Sequence, residues 1–226
     1  MGVMIVLTCK SENKSAAKLE LPTYLYELPV EMQNEIILRW GFGGWPSYKR
    51  EINKAGAIEL NCHKYMARRA LEKVVRIPKT YGPRQLTEDK RYVVRPFYHA
   101  KGKDFKIQQG PFEVEVEHYA SEYLETDSEY RAWFCGDNIK VARRAPMEGQ
   151  TGACRSKFGY EWKSTQRTLR DYVLLAKKAI GLDTGAADVL LHQGKWYFLE
   201  LNSAPCLDHW RLQEFFKTHI KEFDHA

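Results

Sequence analysis

An apolar hairpin near the C-terminus constrains the fold of this chain more than any other segment. Residues 185–191 and 195–201 are two runs rich in apolar residues, and the turn-favouring residue Gly194 separates them. Two such runs joined by a short, glycine-containing connection are typical of paired antiparallel strands. The sequence therefore predicts a β-hairpin here, and one face of that hairpin must pack on a core that the rest of the chain supplies.

Polar side chains interrupt the second strand of this hairpin. Glu200 and Asn202 are two positions apart, so they point to one face of a strand, whereas Leu199 and Leu201 point to the other. A carboxylate beside an amide offers the hard oxygen ligands that Mg²⁺ prefers. Taken alone, the two residues are explained at least as well by a half-exposed strand, so a metal site requires a further ligand.

Asp188 on the first strand is the candidate for that ligand, and the length of the turn decides whether it joins the others. A two-residue turn, 193–194, pairs Asp188 with Leu199 and directs its carboxylate to the wrong face. A three-residue loop, 193–195, pairs Asp188 with Glu200 instead. We expect the longer loop, since three-residue hairpin loops are common and since this register brings the oxygen-bearing side chains together.

The remaining sequence mixes strand and helix patterns. The predicted strands are Met4–Thr8, 35–40, 91–96, 105–108, 113–117 and 120–125, followed by a hairpin of 129–134 and 138–142. The predicted helices are 61–75, with Met66, Ala70, Leu71 and Val74 on one face, then 165–181 and 207–223. Antiparallel hairpins and separate helices indicate an α+β fold.

Composition and charge exclude several classes of protein. Every apolar run is far shorter than the ~20 residues that span a bilayer, so no membrane segment is expected. The five cysteines match no zinc or redox spacing and indicate free thiols in the reducing cytoplasm. The formal charge of +6 favours anionic ligands. The basic residues are dispersed and match no nucleic-acid motif, so nucleic-acid binding is not expected.

The chain divides into three segments. Residues 1–58 predict a short N-terminal accessory lobe, too small for a complete nucleotide-binding fold, and residues 59–120 and 121–226 predict two further lobes. The apolar N-terminus lacks the positive region of a signal peptide, so we expect a first β-strand there. The short first lobe leaves open whether a second subunit completes it.

The hairpin and the residues before it resemble a known motif. Gly181-Leu-Asp-Thr-Gly-Ala-Ala-Asp188 followed by Phe198-Leu-Glu-Leu-Asn-Ser-Ala-Pro205 is similar to the C-terminal metal motif of the ATP-grasp superfamily. The resemblance spans about 53–207 and is closest to carboxylate–amine ligases, including ribosomal-protein glutamate ligases and compact phage-type proteins. It implies two α+β lobes that clasp ATP. It also implies that Asp188, Glu200 and Asn202 hold one or two Mg²⁺ ions.

Further segments resemble the superfamily in the expected order. Asn61-Cys-His-Lys64 resembles the start of a helix whose lysine reaches the ATP phosphates, which implies that role for Lys64. In Tyr92-Val-Val-Arg-Pro96, Arg95 occupies the position of a phosphate-binding lysine. Arginine keeps the positive charge and can contact two phosphate oxygens, but the exact contacts are left open.

Two loops complete the implied nucleotide site. Residues 99–105, with Gly102, resemble a reduced form of the glycine-rich flap. The segment after it resembles the adenine-binding hinge, which implies that Glu122, Tyr123 and Leu124 contact the base.

Arginines on two later strands resemble the family's phosphate and acyl-phosphate ligands. These are Arg131 and Arg143, with Arg144 as the alternative register, and Arg155 resembles a substrate-loop residue. Together with Arg95, Arg131 and Arg143 form the implied catalytic set. Which of Arg143 and Arg144 faces phosphate is not decided by the sequence.

The implied activity is ADP-forming ligation of a carboxylate to an amine through an acyl phosphate, with ATP and Mg²⁺ as cofactors. The substrates would be an amino acid or a peptide-like carboxylate and an amine of unknown identity. A phosphotransferase and a non-catalytic ATP-binding module remain alternatives. The absence of a Ser-His-Asp or Cys-His pattern agrees with positioning and charge neutralisation as the source of rate.

Overall fold

Strands and helices are interspersed along the chain, as the α+β prediction requires. The computed structural model describes residues 3–99, 105–126, 128–146 and 158–225. The strands are β1 (Met4–Thr8), β2 (Thr23–Leu25), β3 (Ile36–Trp40), β4 (Glu51–Ile52), β5 (Thr80–Tyr81), β6 (Arg84–Leu86), β7 (Arg91–Pro96), β8 (Lys106–Gln109), β9 (Phe112–Val114), β10 (His118–Glu122), β11 (Ser128–Cys135), β12 (Asn138–Pro146), β13 (Phe158–Lys163), β14 (Thr184–His192) and β15 (Lys195–Asn202). The α-helices are α1 (Asn13–Ala16), α2 (Ala55–Cys62), α3 (Lys64–Leu71), α4 (Arg167–Ile180) and α5 (Trp210–His219).

The N-terminal segment forms a parallel sheet in the order β2-β1-β3-β4. All five residues of β3 are buried. A continuously buried apolar strand is typical of a parallel sheet that is covered on both faces. The short strands β2 and β4 were not predicted, so this lobe is more regular than its sequence indicates.

The middle of the chain forms an antiparallel sheet in the order β5-β10-β7-β8, with β6 and β9 as a separate pair. Strand β7 has the predicted bounds, whereas β8, β9 and β10 are displaced by one to three residues from the predicted ones. Tyr92 and Ala120 face a small core that also holds Leu86 and Val114.

The C-terminal sheet has the order β13-β12-β11-β14-β15 and is antiparallel throughout. One face packs on α4, through Leu169, Val173 and Ala176, and on α2 and α3. The other face packs on the N-terminal sheet and α5, where Trp133 shares a core with Trp40 and Phe216. Each face of the sheet therefore contacts a different layer of the molecule.

The helix predicted over 61–75 is wrong in its start and its phase. Helix α2 begins at Ala55, so the predicted lobe boundary at residue 58 falls inside it, and α3 follows after His63. His63 leaves the helical conformation and its ring Nδ1 accepts a hydrogen bond from the Met66 N–H at 3.4 Å, which caps α3. In the observed helix Met66 faces outward, with 48% exposure, and Arg68 is buried.

The later helices agree with the predictions. Helix α4 ends at Gly181, whose φ of 84° suits a residue without a Cβ. Helix α5 continues into the 3₁₀ turn Ile220–His225. Within the described residues, no helix combines the length and the apolar character needed to cross a membrane.

Candidate functional site

The turn between β14 and β15 has two residues, not the three that the sequence led us to expect. His192 pairs directly with Lys195, and both Gln193 and Gly194 have positive φ, 49° and 70°. Positive φ at both central positions is typical of the type I′ turn, whose twist matches that of the flanking strands. The predicted loop length is therefore wrong.

Asp188 nevertheless lies opposite Glu200, as predicted, because the ladder contains a β-bulge. Val189 pairs with Phe198 and Asp188 with Glu200, which leaves Leu199 as the extra residue. A bulge of this kind sets two residues of one strand against one of its neighbour. The pairing expected from the sequence is confirmed, but the bulge and not the loop produces it.

The bulge also separates the ligand candidates from the core. Trp196 and Phe198 are buried in the core beneath the sheet, and a strict two-residue alternation would put Glu200 and Asn202 there as well. The extra residue reverses the alternation, so the polar pair faces the opposite side while Leu201 returns to the core, with 1% exposure.

Asp188 is the centre of a buried polar cluster. Its Oδ1 lies 2.8 Å from an Arg144 guanidinium nitrogen and 3.6 Å from Arg131 Nε. Its Oδ2 accepts a hydrogen bond from the Asn202 amide at 3.3 Å. Register explains the convergence, since Arg131 on β11, Asp188 on β14 and Glu200 on β15 form one row across the sheet.

Glu200 is surrounded by positive charge. Lys64 Nζ lies 3.9 Å from its carboxylate and donates a hydrogen bond to the Leu201 carbonyl at 3.1 Å. Burial by itself would raise the pKa of Glu200, but the charges of Lys64, Arg95 and Arg131 offset this and lower the pKa to about 2. The carboxylate is therefore ionised at neutral pH and available to a cation.

His99 lies close enough to Glu200 for the two side chains to interact electrostatically. Its Nε2 is 3.0 Å from the Tyr119 hydroxyl. Burial is the main cause that lowers the pKa of His99 to about 4, with a smaller contribution from neighbouring cations that include Arg95 and Lys64. At neutral pH the imidazole is uncharged.

The structure brings Arg144 to the site and does not bring Arg143. Residues of β12 alternate between faces, and Arg144 shares the face of Ala142, which packs with the N-terminal sheet. Arg143 points the other way, where it lies 3.8 Å from Glu161 and its side chain is 43% exposed. The preference for Arg143 is therefore corrected: Arg144, the alternative, is the arginine that lies beside Asp188.

The nucleotide-site candidates on the middle sheet lie on β7 and β10 and in the segment after β10. Arg95 extends over the ring of Phe105, 5.5 Å from its centroid. The Glu122 carboxylate accepts hydrogen bonds from Lys90 Nζ at 3.2 Å and from the Tyr81 hydroxyl at 3.3 Å.

Tyr123 and Leu124 begin the connection to the C-terminal sheet. The Tyr123 N–H donates to the Arg91 carbonyl at 2.9 Å, and Leu124 is half-buried. Gly102 of the expected flap and Arg155 of the expected substrate loop lie outside the described residues.

The comparison with known proteins agrees with this architecture. No protein-family model and no curated protein sequence matches the chain significantly. Among solved structures, the ATP-grasp ligase PsnB complexed with a minimal precursor aligns with a TM-score of 0.67 at 10% identity, over 98% of this chain and 100% of that one. The chain has the ATP-grasp fold.

Other structures with the ATP-grasp fold align equally well. The D-alanine–D-alanine ligase from Bacillus anthracis gives a TM-score of 0.66 at 12% identity, over 100% of this chain and 95% of that one. The Chryseobacterium gregarium RiPP-associated ATP-grasp ligase, in complex with ADP and a leader and core peptide, gives 0.67 at 12% identity, over 100% and 98%. The fold expected from the sequence is confirmed.

The donor atoms at the centre of this ATP-grasp fold fit Mg²⁺. The described residues hold no group of three or more His, Cys, Asp or Glu side chains that could bind a metal. The set is instead two carboxylates and one amide, which offer hard oxygen donors; the Asn202 nitrogen donates to Asp188, so its amide oxygen is not engaged in that bond. Arg131 Nε is buried and makes no hydrogen bond within the described residues, although it lies 3.6 Å from Asp188 Oδ1.

One further residue of this ATP-grasp fold was missed from the sequence. Arg68 on α3 donates a hydrogen bond to the Leu199 carbonyl at 2.6 Å, next to Glu200. A signal for it existed, because Arg68 follows Lys64 by four positions and such residues share one face of a helix.

Proposed function

We propose that this chain is an ATP-dependent, ADP-forming carboxylate–amine ligase. The observation that carries the proposal is the Asp188–Glu200 pair, held opposite each other inside a cluster of cations in an ATP-grasp fold. Carboxylates alone would suit a metal, and cations alone would suit an anion. Their combination suits a nucleotide triphosphate bound together with Mg²⁺.

Each group in the cluster has a role in this proposal. Asp188, Glu200 and Asn202 would hold one or two Mg²⁺ ions, whose chemistry is to offset negative charge on the phosphate oxygens. Lys64, Arg95, Arg131 and Arg144 would neutralise the remaining charge. Glu122, Tyr123 and Leu124 would contact adenine, as the resemblance to the superfamily implies.

Two steps form the proposed reaction. A carboxylate oxygen of the substrate attacks the γ-phosphorus of ATP, the bond to the bridging oxygen breaks, and ADP leaves. The nitrogen of the amine then attacks the carbonyl carbon of the acyl phosphate, loses a proton, and displaces inorganic phosphate. Arg131 and Arg144, with side chains 15% and 13% exposed, would orient the phosphoryl group in surroundings that contain little water.

The substrate class is proposed from the neighbours of the fold. Several of the aligned structures hold precursor peptides, and one is a ligase for D-alanine. We extend this to an amino acid or a peptide-like carboxylate as donor and an amine as acceptor. The cations of the site, which include Lys64 and Arg131, are consistent with an anionic donor.

The test is Mg²⁺-dependent release of ADP from ATP in the presence of pooled amino acids and short peptides, with Asp188→Ala as the control. Hydroxylamine in the same assay would convert an acyl phosphate to a hydroxamate. ADP and hydroxamate that both need Mg²⁺ and a pool support the ligase. AMP as the product would contradict the mechanism, and a stable phosphorylated product would indicate a phosphotransferase.

A further inference from the structure

Arg68 is a buried cation that the proposed reaction does not use. The whole residue is 5% exposed, and it lies in the second turn of α3. Its guanidinium donates to the Leu199 carbonyl at 2.6 Å and to the Thr80 hydroxyl at 2.9 Å, and it lies 5.7 Å from the centroid of the Tyr119 ring. One side chain therefore joins α3, the middle sheet and β15.

The contact with Leu199 falls on the bulge. Leu199 has no partner in the β14 register, and β15 is the edge strand of its sheet, so a carbonyl that points away from β14 has no second strand among the described ones to donate a hydrogen bond to it. Leaving a partly buried carbonyl unpaired is unfavourable, and a charged donor is the strongest replacement. Arg68 supplies that donor.

Lys64 repeats the arrangement one helical turn earlier. It donates to the Leu201 carbonyl at 3.1 Å, so two cations at positions i and i+4 of α3 bind the two carbonyls on either side of Glu200. The backbone that carries the Glu200 side chain is thereby attached to a helix, and not only to the neighbouring strand.

We propose that Arg68 is a positioning residue that fixes the bulge at Leu199 and so keeps the Glu200 carboxylate opposite Asp188 for metal binding. The inference rests on the proposed function, because it assigns Arg68 a task at the same Mg²⁺ site. Arg68 acts through the backbone of β15 and touches neither metal nor substrate in this scheme.

The experiment measures metal affinity without turnover. Mn²⁺ would be titrated into the full chain in the presence of a non-hydrolysable ATP analogue, and free Mn²⁺ would be followed by electron paramagnetic resonance. Three variants are compared: Arg68→Met removes the donors, Arg68→Lys keeps a charge but not the planar fork, and Arg69→Met is the matched control. Arg69 is the next residue of α3, with a side chain 51% exposed and paired with Glu72.

We expect Arg68→Met to weaken Mn²⁺ affinity by about tenfold or more, as is typical when a group that orients metal ligands is lost. Arg68→Lys should fall between Arg68→Met and the wild type, because one ammonium cannot serve Leu199 and Thr80 with the geometry of a guanidinium. Arg69→Met should bind Mn²⁺ like the wild type. Millimolar guanidinium should restore part of the affinity of Arg68→Met and leave Arg69→Met unchanged.

Two failures are distinguishable. A wild-type chain that binds no Mn²⁺ with the nucleotide would overturn the metal site and, with it, the proposed function. Wild-type binding with equal affinity in folded Arg68→Met would overturn the positioning role alone. If Arg68→Met does not fold, Arg68→Lys decides, since wild-type affinity in that variant also contradicts the inference.

Discussion

Two buried arginine–carboxylate clusters, one in the N-terminal sheet and one in the C-terminal sheet, differ in how completely their hydrogen-bond donors are used. In the N-terminal sheet, Arg39 is fully buried and makes five hydrogen bonds, to Glu51 and to three carbonyls of the loop after β3. A guanidinium has five N–H groups, so every donor is used. One cation meets one carboxylate, and nothing remains for a ligand.

The C-terminal cluster is less completely hydrogen-bonded. Lys64 lies within 4.0 Å of Glu200, and Arg131 and Arg144 lie within 4.0 Å of Asp188. Arg131 Nε has no hydrogen-bond acceptor in the described part of the chain. The comparison therefore separates a cluster whose donors are all used from one in which a buried donor has no acceptor within the described residues.

Breaking the N-terminal pair should have the largest effect on stability. Glu51→Ala leaves the buried charge of Arg39 without its carboxylate, and such a loss costs roughly 3–5 kcal/mol. Urea unfolding would measure it. The control is Glu72→Ala, which breaks an exposed pair with Arg69 and should cost less than ~1 kcal/mol. Equal losses in the two variants would remove the distinction between a buried and an exposed pair.

Asp188→Asn should have the largest effect on turnover. The amide keeps the volume of the side chain but removes the charge that would hold Mg²⁺, so Mg²⁺-dependent ADP release should fall by about 10²–10³. Near-wild-type turnover would show that the metal assignment is wrong.

Replacing each of the two neighbouring arginines of β12 by alanine tests which of them belongs to the site. Arg144→Ala should lower ADP release by about 10²-fold, since a charge aimed at transferred phosphate would be lost. Arg143→Ala should leave the rate within a factor of about two, because removing an exposed surface pair has little effect. The reverse order of the two rates would contradict the register seen in the structure.

Protonation of Glu200 at low pH should have the smallest of these effects, and it should appear in the free energy of unfolding. The pKa of Glu200 is lowered from 4.5 to about 2, so its ionised form contributes stability above pH 4.5 that is lost as the pH falls towards 2. In the Glu200→Gln variant, the free energy of unfolding should lack this pH-dependent contribution. Urea unfolding of both proteins between pH 3 and about pH 6 would measure the difference, and parallel curves would contradict the shift.

Local patterns predicted the regular elements well where a strand or helix is long. Strands β1 and β7 have the predicted bounds, and the β11–β12 hairpin and α4 lie within a few residues of theirs. The short strands β2 and β4 escaped prediction because two or three residues carry no periodic signal, and such strands exist only through pairing with β1 and β3.

The sequence nominated candidate residues for the site, but it did not predict the geometry that brings them together. Pairing of Asp188 with Glu200 was confirmed, although the expected loop was wrong and a bulge supplied the register. The choice of Arg143, with Arg144 as the alternative, could not be settled from the sequence, because both are arginines on one strand and only the neighbouring layers reveal which of them lies beside Asp188. The metal and nucleotide roles of these residues stay predictions until the experiments above are made.

The sequence by itself determined the chemistry that this chain can offer: two carboxylates and an amide near a hairpin, arginines on preceding strands, and a lysine at a helix start. These are properties of residue type and short-range spacing, which the chain carries before it folds. Only the tertiary structure decided which of these groups meet. Strand register, the bulge at Leu199 and the phase of α3 are set by packing between layers and by hydrogen bonds such as that from Arg68 to β15, whose partners lie 131 residues apart. Contacts between residues so distant in sequence leave no local pattern, so the folded molecule alone reveals Arg68 beside Leu199 and Arg144 beside Asp188.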